Sequence, residues 1–214
     1  MENNRKQEIL SSAKKLFYEK GYVGTNLKDI ALELGITKQA ISHYYRKKEM
    51  LAAEVYEGIS IDFLGVFIEK GRSLGYDEVT SEAASCIWID RYYTSDECAK
   101  RFFNEYVYHG LGDYFNFEFE ASRHFAGGRM FLGEMSREMF YAVYIASRYA
   151  AKGLLYHYVN GDISLKREEF ERYYLKLCFE PFGHDEKTID RLFEEGTRLL
   201  SQTQITVSPY FSVS

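Results

Sequence analysis

Apolar residues recur at helical spacing along most of the chain. Ile9, Leu10, Ala13, Leu16 and Phe17 form one stripe, with Lys14, Lys15 and Glu19 outside it. Gly21 follows the last turn, where a left-handed residue ends a helix at little cost. A second helix starts after Asn26, whose side chain can cap the first turn and be answered by Asp29. Leu27, Ile30, Ala31 and Leu34 form its inward stripe, and Gly35 stops it. Thr37 then offers an N-cap for a third helix, Lys38 to Tyr45.

The second and third helices are separated only by a glycine-centred turn, so they must cross steeply, as in a helix-turn-helix. On the third helix Ile41 and Tyr45 share the inward face. Gln39, Ser42, His43 and Arg46 lie on the other, which is polar and suits base edges and phosphates in a major groove. The competing reading of such a face is an ordinary solvated surface. Ala31, Gly35 and Ile41 favour the first reading, because they permit close approach, make the turn and plug the core.

Beyond residue 50 the pattern stays helical. Leu51, Val55, Ile59, Phe63 and Val66/Phe67 predict one long helix, and further stripes fall at Ala83–Tyr93 and Cys98–Tyr108. Asp113 to Glu120 alternates aromatic and polar residues. That is a strand by period, but no partner strand is evident, so helix or irregular structure is expected. Gly127-Gly128 reads as a turn. In Met139–Tyr158, Ala142, Ala146 and Ala150 recur every four residues, with Val143, Leu154 and Tyr158 nearby. Phe170, Tyr173, Tyr174 and Leu177 mark the next helix (Lys166–Leu177), which Pro181-Phe182-Gly183 breaks. Thr188 to Leu200 is the last helix, and the tail from Ser201 has no periodicity and is expected to fray.

The stretch Arg5–Leu51 resembles the DNA-binding domain of the TetR family of bacterial repressors. The resemblance rests on Ile9-Leu10, Ala13, Leu16-Phe17, Gly21-Tyr22, Thr25, Ile30-Ala31, Leu34-Gly35-Ile36-Thr37, Ile41, Tyr45, Lys48-Glu49 and Leu51. It implies an all-α fold with a helix-turn-helix domain at 1–50, a helical effector-binding and dimerisation domain at 51–200, and a tail at 201–214. It also implies that Thr37 through His43 form the recognition end and that Lys48 holds a phosphate. Asn26, Lys28, Thr37, Lys38, Gln39, Ser42, His43, Tyr44, Arg46 and Lys48 are the DNA-binding candidates. Ser42 stands where the family usually has a tyrosine, and Asn26 where it often has a second threonine, so the family's base contacts do not carry over unchanged. The long helix after residue 50 would link the domains and transmit ligand binding. Two helices at the place of Met139–Tyr158 and Lys166–Leu177 would pair with a second copy; Ala142, Ala146, Ala150, Leu154, Tyr158, Tyr173 and Leu177 are the dimer candidates. Without the resemblance these helices read as intrachain core.

Charge refines this picture. Net charge is −5, but residues 1–50 hold ten Lys/Arg against six Asp/Glu (net +4), and the remainder 17 against 26 (net −9). A basic head on an acidic body fits phosphate contact, although such asymmetry by itself argues equally for scatter. Aromatic residues make up 17% of the chain, most of them after residue 55. Trp88, Tyr92, Phe102, Phe103, Tyr106, His109 and Phe131 fall where the family encloses a ligand, with Tyr93, Phe115 and Phe117 nearby. They read either as the wall of an apolar pocket or as packed core.

The three cysteines, Cys86, Cys98 and Cys178, lack a C-x-x-C spacing, so neither a disulfide framework nor a zinc site is expected. Glu120 and His124 are four apart and could share a helix face, but no third ligand can be assigned, and no nucleophile stands in a recognisable setting. The expectation is no enzyme, no metal and no cofactor. With no apolar signal core or membrane-length run, a cytoplasmic protein without a membrane partner is expected. The preferred reading is a ligand-responsive homodimeric regulator of a palindromic double-stranded DNA operator, a repressor released by a small apolar or aromatic effector. The alternatives are a DNA-binding dimer without an effector and an enzyme on a helical scaffold. The sequence itself does not separate repressor from activator.

Overall fold

The computed structural model describes residues 2–114 and 136–214. These residues are all-α apart from one small hairpin. In order they form α1 (Glu2–Lys20), α2 (Leu27–Glu33), α3 (Lys38–Tyr44), α4 (Lys48–Ser73), α5 (Glu78–Ser95), α6 (Glu97–Tyr108), α7 (Arg137–Val159), α8 (Arg167–Phe179) and α9 (Glu186–Gln202). The strands β1 (Val207–Ser208) and β2 (Ser212–Val213) pair antiparallel, with Val207 opposite Val213. Short 3₁₀ turns lie at Leu111–Tyr114 and Glu180–Phe182. The periodic stripes therefore located every described helix. Leu111–Tyr114 is a helical turn, not a strand. The rest of the alternating segment and Gly127-Gly128 lie outside the described residues, as do Phe115, Phe117, Glu120, His124 and Phe131.

Two compact units emerge. The first gathers the described residues of Met1–Asp62, Ser95–Phe115 and Thr206–Ser214. Its core contains Ile9, Ala13, Phe17, Ile30, Ile41 and Leu51, all essentially inaccessible, together with Phe102, Phe103, Tyr106 and Phe211. Phe17 stacks on Phe102 at 5.4 Å, and Tyr56 stacks on Tyr106 at 3.9 Å. Each such buried side chain contributes roughly 1.5–3 kcal/mol relative to exposure. The second unit gathers the described residues of Phe63–Thr94 and Asn116–Ile205. Phe140, Tyr144, Leu155, Phe170, Leu175, Phe179 and Leu192 fill it. α7 is tied to α8 where the Ser147 hydroxyl donates to the Leu177 carbonyl at 2.7 Å and Tyr158 stacks on Phe170 at 3.8 Å.

This division differs from a boundary at residue 50. The compact unit that contains α1–α3 also takes the first part of α4, all of α6, and the chain's last residues. The segment 206–214 is packed onto this unit. Phe211 is 2% exposed, edge-on to Tyr18 at 5.1 Å and tilted against Phe102 at 5.1 Å. The Tyr210 hydroxyl donates to Glu19 at 3.3 Å. Strands of two residues leave no periodicity to read, and the apolar slot between α1 and α6 exists only in the folded chain.

Candidate nucleic-acid interface

The interface starts from the two turns that flank α2. Gly21 is left-handed, at φ 77°. Its missing side chain matters twice, since a Cβ there would also lie 2.8 Å from both carboxylate oxygens of Glu105. The Thr25 hydroxyl, buried, donates to the Gly21 carbonyl at 2.7 Å and closes the turn. Asn26 and Asp29 form the expected reciprocal box: Asn26 Oδ1 accepts from the amides of Lys28 and Asp29, and the Asn26 amide donates to Asp29 at 2.8 Å. Gly35, at φ 64°, reverses the chain, and the Ile36 amide donates back to the Ala31 carbonyl at 3.0 Å. Thr37 then caps α3 by accepting from the Ala40 amide at 3.2 Å.

These turns fix which side chains face outward. Ile41 is fully buried and Ala31 is 4% exposed, so α3 seats its apolar face on α2. Lys38, Gln39, His43 and Arg46 are exposed, and Tyr44 and Ser42 are half-buried. Ser42 Oγ donates to the Lys38 carbonyl at 3.1 Å, which commits its proton to its own helix and leaves its lone pairs to accept. The His43 ring meets the Tyr44 ring edge-on.

Charge is concentrated here by pairing elsewhere. On α1, Lys6 is paired with Glu54, Lys14 with Asp62 and Lys15 with Glu33. Among the described residues Lys28, Lys38 and Arg46 make no ion pair. Lys28 and Lys38 line a cleft of about 400 Å³ with Asn26, Leu27 and Lys48. An open cleft carrying three ammonium groups and the capped end of α2 has the chemistry to hold a phosphate.

Lys48 occupies a special place in that cleft. Its Nζ donates to the Tyr22 and Thr25 carbonyls, both at 2.8 Å, and lies 3.9 Å from the centre of the Tyr22 ring. Burial holds its pKa below the ordinary lysine value, against the pull of Glu49, Glu105 and Asp29. Two of its three protons thus brace the α1–α2 turn. On the other side of that turn, Glu105 of α6 accepts from the Tyr22 and Val23 amides, and Arg101 donates to the Tyr18 carbonyl at 2.6 Å. Glu105 and Arg101 were not among the sequence candidates. They act across some 80 residues of chain, and no local spacing announces them.

Residues 9–55 match the family model described as bacterial regulatory proteins, tetR family. Curated relatives match over stretches of similar length. An uncharacterized HTH-type transcriptional regulator, YerO of Bacillus subtilis (strain 168), is 36% identical over 63 residues, 28% of this chain and 22% of that protein. The HTH-type transcriptional repressor KstR2 of Rhodococcus jostii (strain RHA1) is 33% identical over 67 residues, 31% of this chain and 33% of that protein. The amino-terminal head of this chain is similar to that of TetR-family regulators. The match therefore spans a third or less of the length of these relatives. A solved structure of RolR without ligand shares the fold more widely, with a TM-score of 0.53 at 15% identity over 90% of this chain and 96% of that one.

Outside the TetR-type head, the other sequence candidates fall in several places. Phe102, Phe103 and Tyr106 are at most 2% exposed in the first unit, packed around α1 and α4, and His109 is exposed beside the Tyr22 ring at 5.6 Å. Trp88 and Tyr92 belong to the second unit, where both rings contact Phe63. The aromatic candidates are thus divided between the two units. On α7, Ala142, Ala146 and Ala150 are exposed along one face, with Ile145 and Tyr149 beside them, and Leu154 and Tyr158 are half-buried. On α8, Tyr173 is 53% exposed and Leu177 half-buried. Among the described residues no group of three His, Cys, Asp or Glu is placed to hold a metal, and no helix is long and apolar enough to cross a membrane.

Proposed function

We propose that this protein is a homodimeric transcriptional repressor that reads a two-fold DNA operator through α3 and releases it when a small, flat, mostly apolar effector binds. The observation that carries the DNA half is the outward face of α3, with Gln39, His43 and Arg46 exposed beside the unpaired Lys28 and Lys38. In this reading Gln39, Ser42 and His43 meet base edges, while Asn26, Lys28, Thr37, Lys38, Tyr44, Arg46 and Lys48 meet the backbone. The repressor sign follows KstR2, which is described as one.

Dimerisation is supported by the exposed Ala142–Ala146–Ala150 stripe and the apolar residues flanking it. Small residues let two helices approach closely, and a two-fold seam would set the recognition helices about one DNA turn apart. The effector would lodge against the aromatic candidates of the body, Trp88 and Tyr92 foremost, with Phe102, Phe103, Tyr106, His109 and Phe131 as the remaining candidates. The tight burial of Phe102, Phe103 and Tyr106 favours a second reading, a DNA-binding dimer without an effector.

A thermal-shift screen of aromatic compounds, with each hit titrated against labelled operator, separates the two. A true effector weakens operator binding, and saturating operator weakens effector binding by the same factor. A hundredfold release corresponds to about 2.7 kcal/mol of coupling. Hits indifferent to DNA leave the effector-free reading.

A further inference from the structure

α6 holds the end of α1 and the turn after it by three polar contacts. Asp96, its N-cap, accepts from the Tyr18 hydroxyl at 2.9 Å. Arg101 donates to the Tyr18 carbonyl at 2.6 Å, in the last turn of α1, where carbonyls lack helical partners. Glu105, one turn further along α6, accepts from the Tyr22 amide and, at 3.4 Å, from the Val23 amide, both on the same carboxylate oxygen. From the other side Lys48 donates to the Tyr22 and Thr25 carbonyls, both at 2.8 Å. Tyr22 is therefore held at both of its peptide groups, its amide by a carboxylate and its carbonyl by an ammonium. Neither partner can move without the turn between them.

We propose that Glu105 is a positioning residue for DNA binding: by fixing the Tyr22–Thr25 turn, it places the Lys48 ammonium where an operator phosphate meets it. The proposal rests on the phosphate contact assigned to Lys48 above. A lysine head on a four-carbon stem has many rotamers, and the two carbonyls select one of them. They take two of its three protons and leave the third to a phosphate. The carbonyls are themselves placed by the turn, and Glu105 binds that turn through two amides. Charge alone would act the opposite way, since a carboxylate near the operator repels phosphate and weakens binding. Positioning and charge thus predict effects of opposite sign at Glu105.

Two substitutions separate them. Glu105→Gln keeps the reach and a carbonyl acceptor and loses the charge. Glu105→Asp keeps the charge and loses one methylene of reach. Each is made in the full-length chain, alone and together with Lys48→Ala, and titrated against the operator selected by wild type at several salt concentrations. Glu105→Gln should bind within about twofold of wild type. Glu105→Asp should bind about fivefold more weakly, a loss within the coupling range of residues that share a network. Its salt slope should fall by up to about one unit, the loss expected of Lys48→Ala, whereas a merely destabilised head leaves the slope unchanged. With Lys48→Ala already present, Glu105→Asp should change affinity by less than about twofold.

Glu105→Asp equal to wild type, Glu105→Gln the weaker of the two, or the full loss persisting beside Lys48→Ala overturns the proposal. A folded wild type that binds no duplex contradicts the DNA-binding reading instead. The link from Glu105 to Lys48 is then read without DNA, from the ¹⁵N-lysine ammonium spectrum. There the Lys48 signal should move in Glu105→Asp and stay in place in Glu105→Gln, and a signal unmoved in both overturns the link.

Discussion

The Lys48 ammonium lies 3.9 Å from the centre of the Tyr22 ring and donates to the Tyr22 carbonyl at 2.8 Å, while the Tyr22 amide donates to Glu105. One residue of the α1–α2 turn therefore joins a lysine in the basic cleft to a carboxylate on α6. A substitution at Lys48 therefore tests the turn and the proposed phosphate contact together.

Lys48→Ala should accordingly do two things. It removes two charge-assisted hydrogen bonds, and the chain should lose about 2 kcal/mol of stability, read by denaturant unfolding. Its remaining proton is available to a phosphate, so affinity should fall similarly for all DNA sequences and the salt slope should shrink by roughly one unit. An unchanged slope with lowered stability would make Lys48 a brace and not a phosphate ligand.

Phe211→Ala tests the C-terminal hairpin. Emptying the slot between Tyr18 and Phe102 should cost about 3 kcal/mol. Amide exchange should quicken first in α1 and α6. A variant as stable as wild type, with exchange unchanged, would show that the hairpin adds nothing to that unit.

The paired carboxylates of the second unit predict a pH dependence. Burial raises the pKa of Asp90 above its ordinary 3.8 and of Glu171 above 4.5, despite Arg167 and Arg91 beside them. A folded-state pKa above the unfolded one means that the native chain holds these protons more tightly. The stabilisation this provides is complete below the unfolded pKa and is lost as pH rises through the folded one. Unfolding midpoints should therefore gain a falling component from the ordinary carboxylate range towards neutral pH. Asp90→Asn should flatten it, at little cost, because Arg167 is 55% exposed and stays solvated. A pH profile unaltered by the substitution would exclude Asp90 as the source.

Ala146→Trp places a large ring in the exposed alanine stripe of α7. Overpacking of the proposed seam should convert dimer to monomer in sedimentation, without loss of helicity. A wild-type chain that is monomeric at micromolar concentration while binding operator fully would remove the seam.

The head was legible in the sequence because its signals are local. Asn26 with Asp29, Gly35 with Thr37, and the Ile41 plug each act within a few residues, and each stands in the structure as read. What was not legible acts across long separations. Glu105 reaches Tyr22 over 83 residues, and Phe211 reaches Tyr18 over more than twice that. Helical periodicity reports that a face is buried, not what buries it. Phe102, Phe103 and Tyr106 could thus be read as a ligand wall, although in the structure they pack against α1 and α4.

The most direct measurement is selection of bound duplexes from random DNA by the full-length chain, repeated with Gln39→Ala. The account predicts a two-fold symmetric site whose half-site centres lie about one helical turn apart. It also predicts that Gln39→Ala relaxes the choice at one base pair in each half by ~1–3 kcal/mol, leaving the other positions unchanged. No enriched sequence, an asymmetric site, or identical preferences for wild type and Gln39→Ala would contradict operator reading through α3 as described.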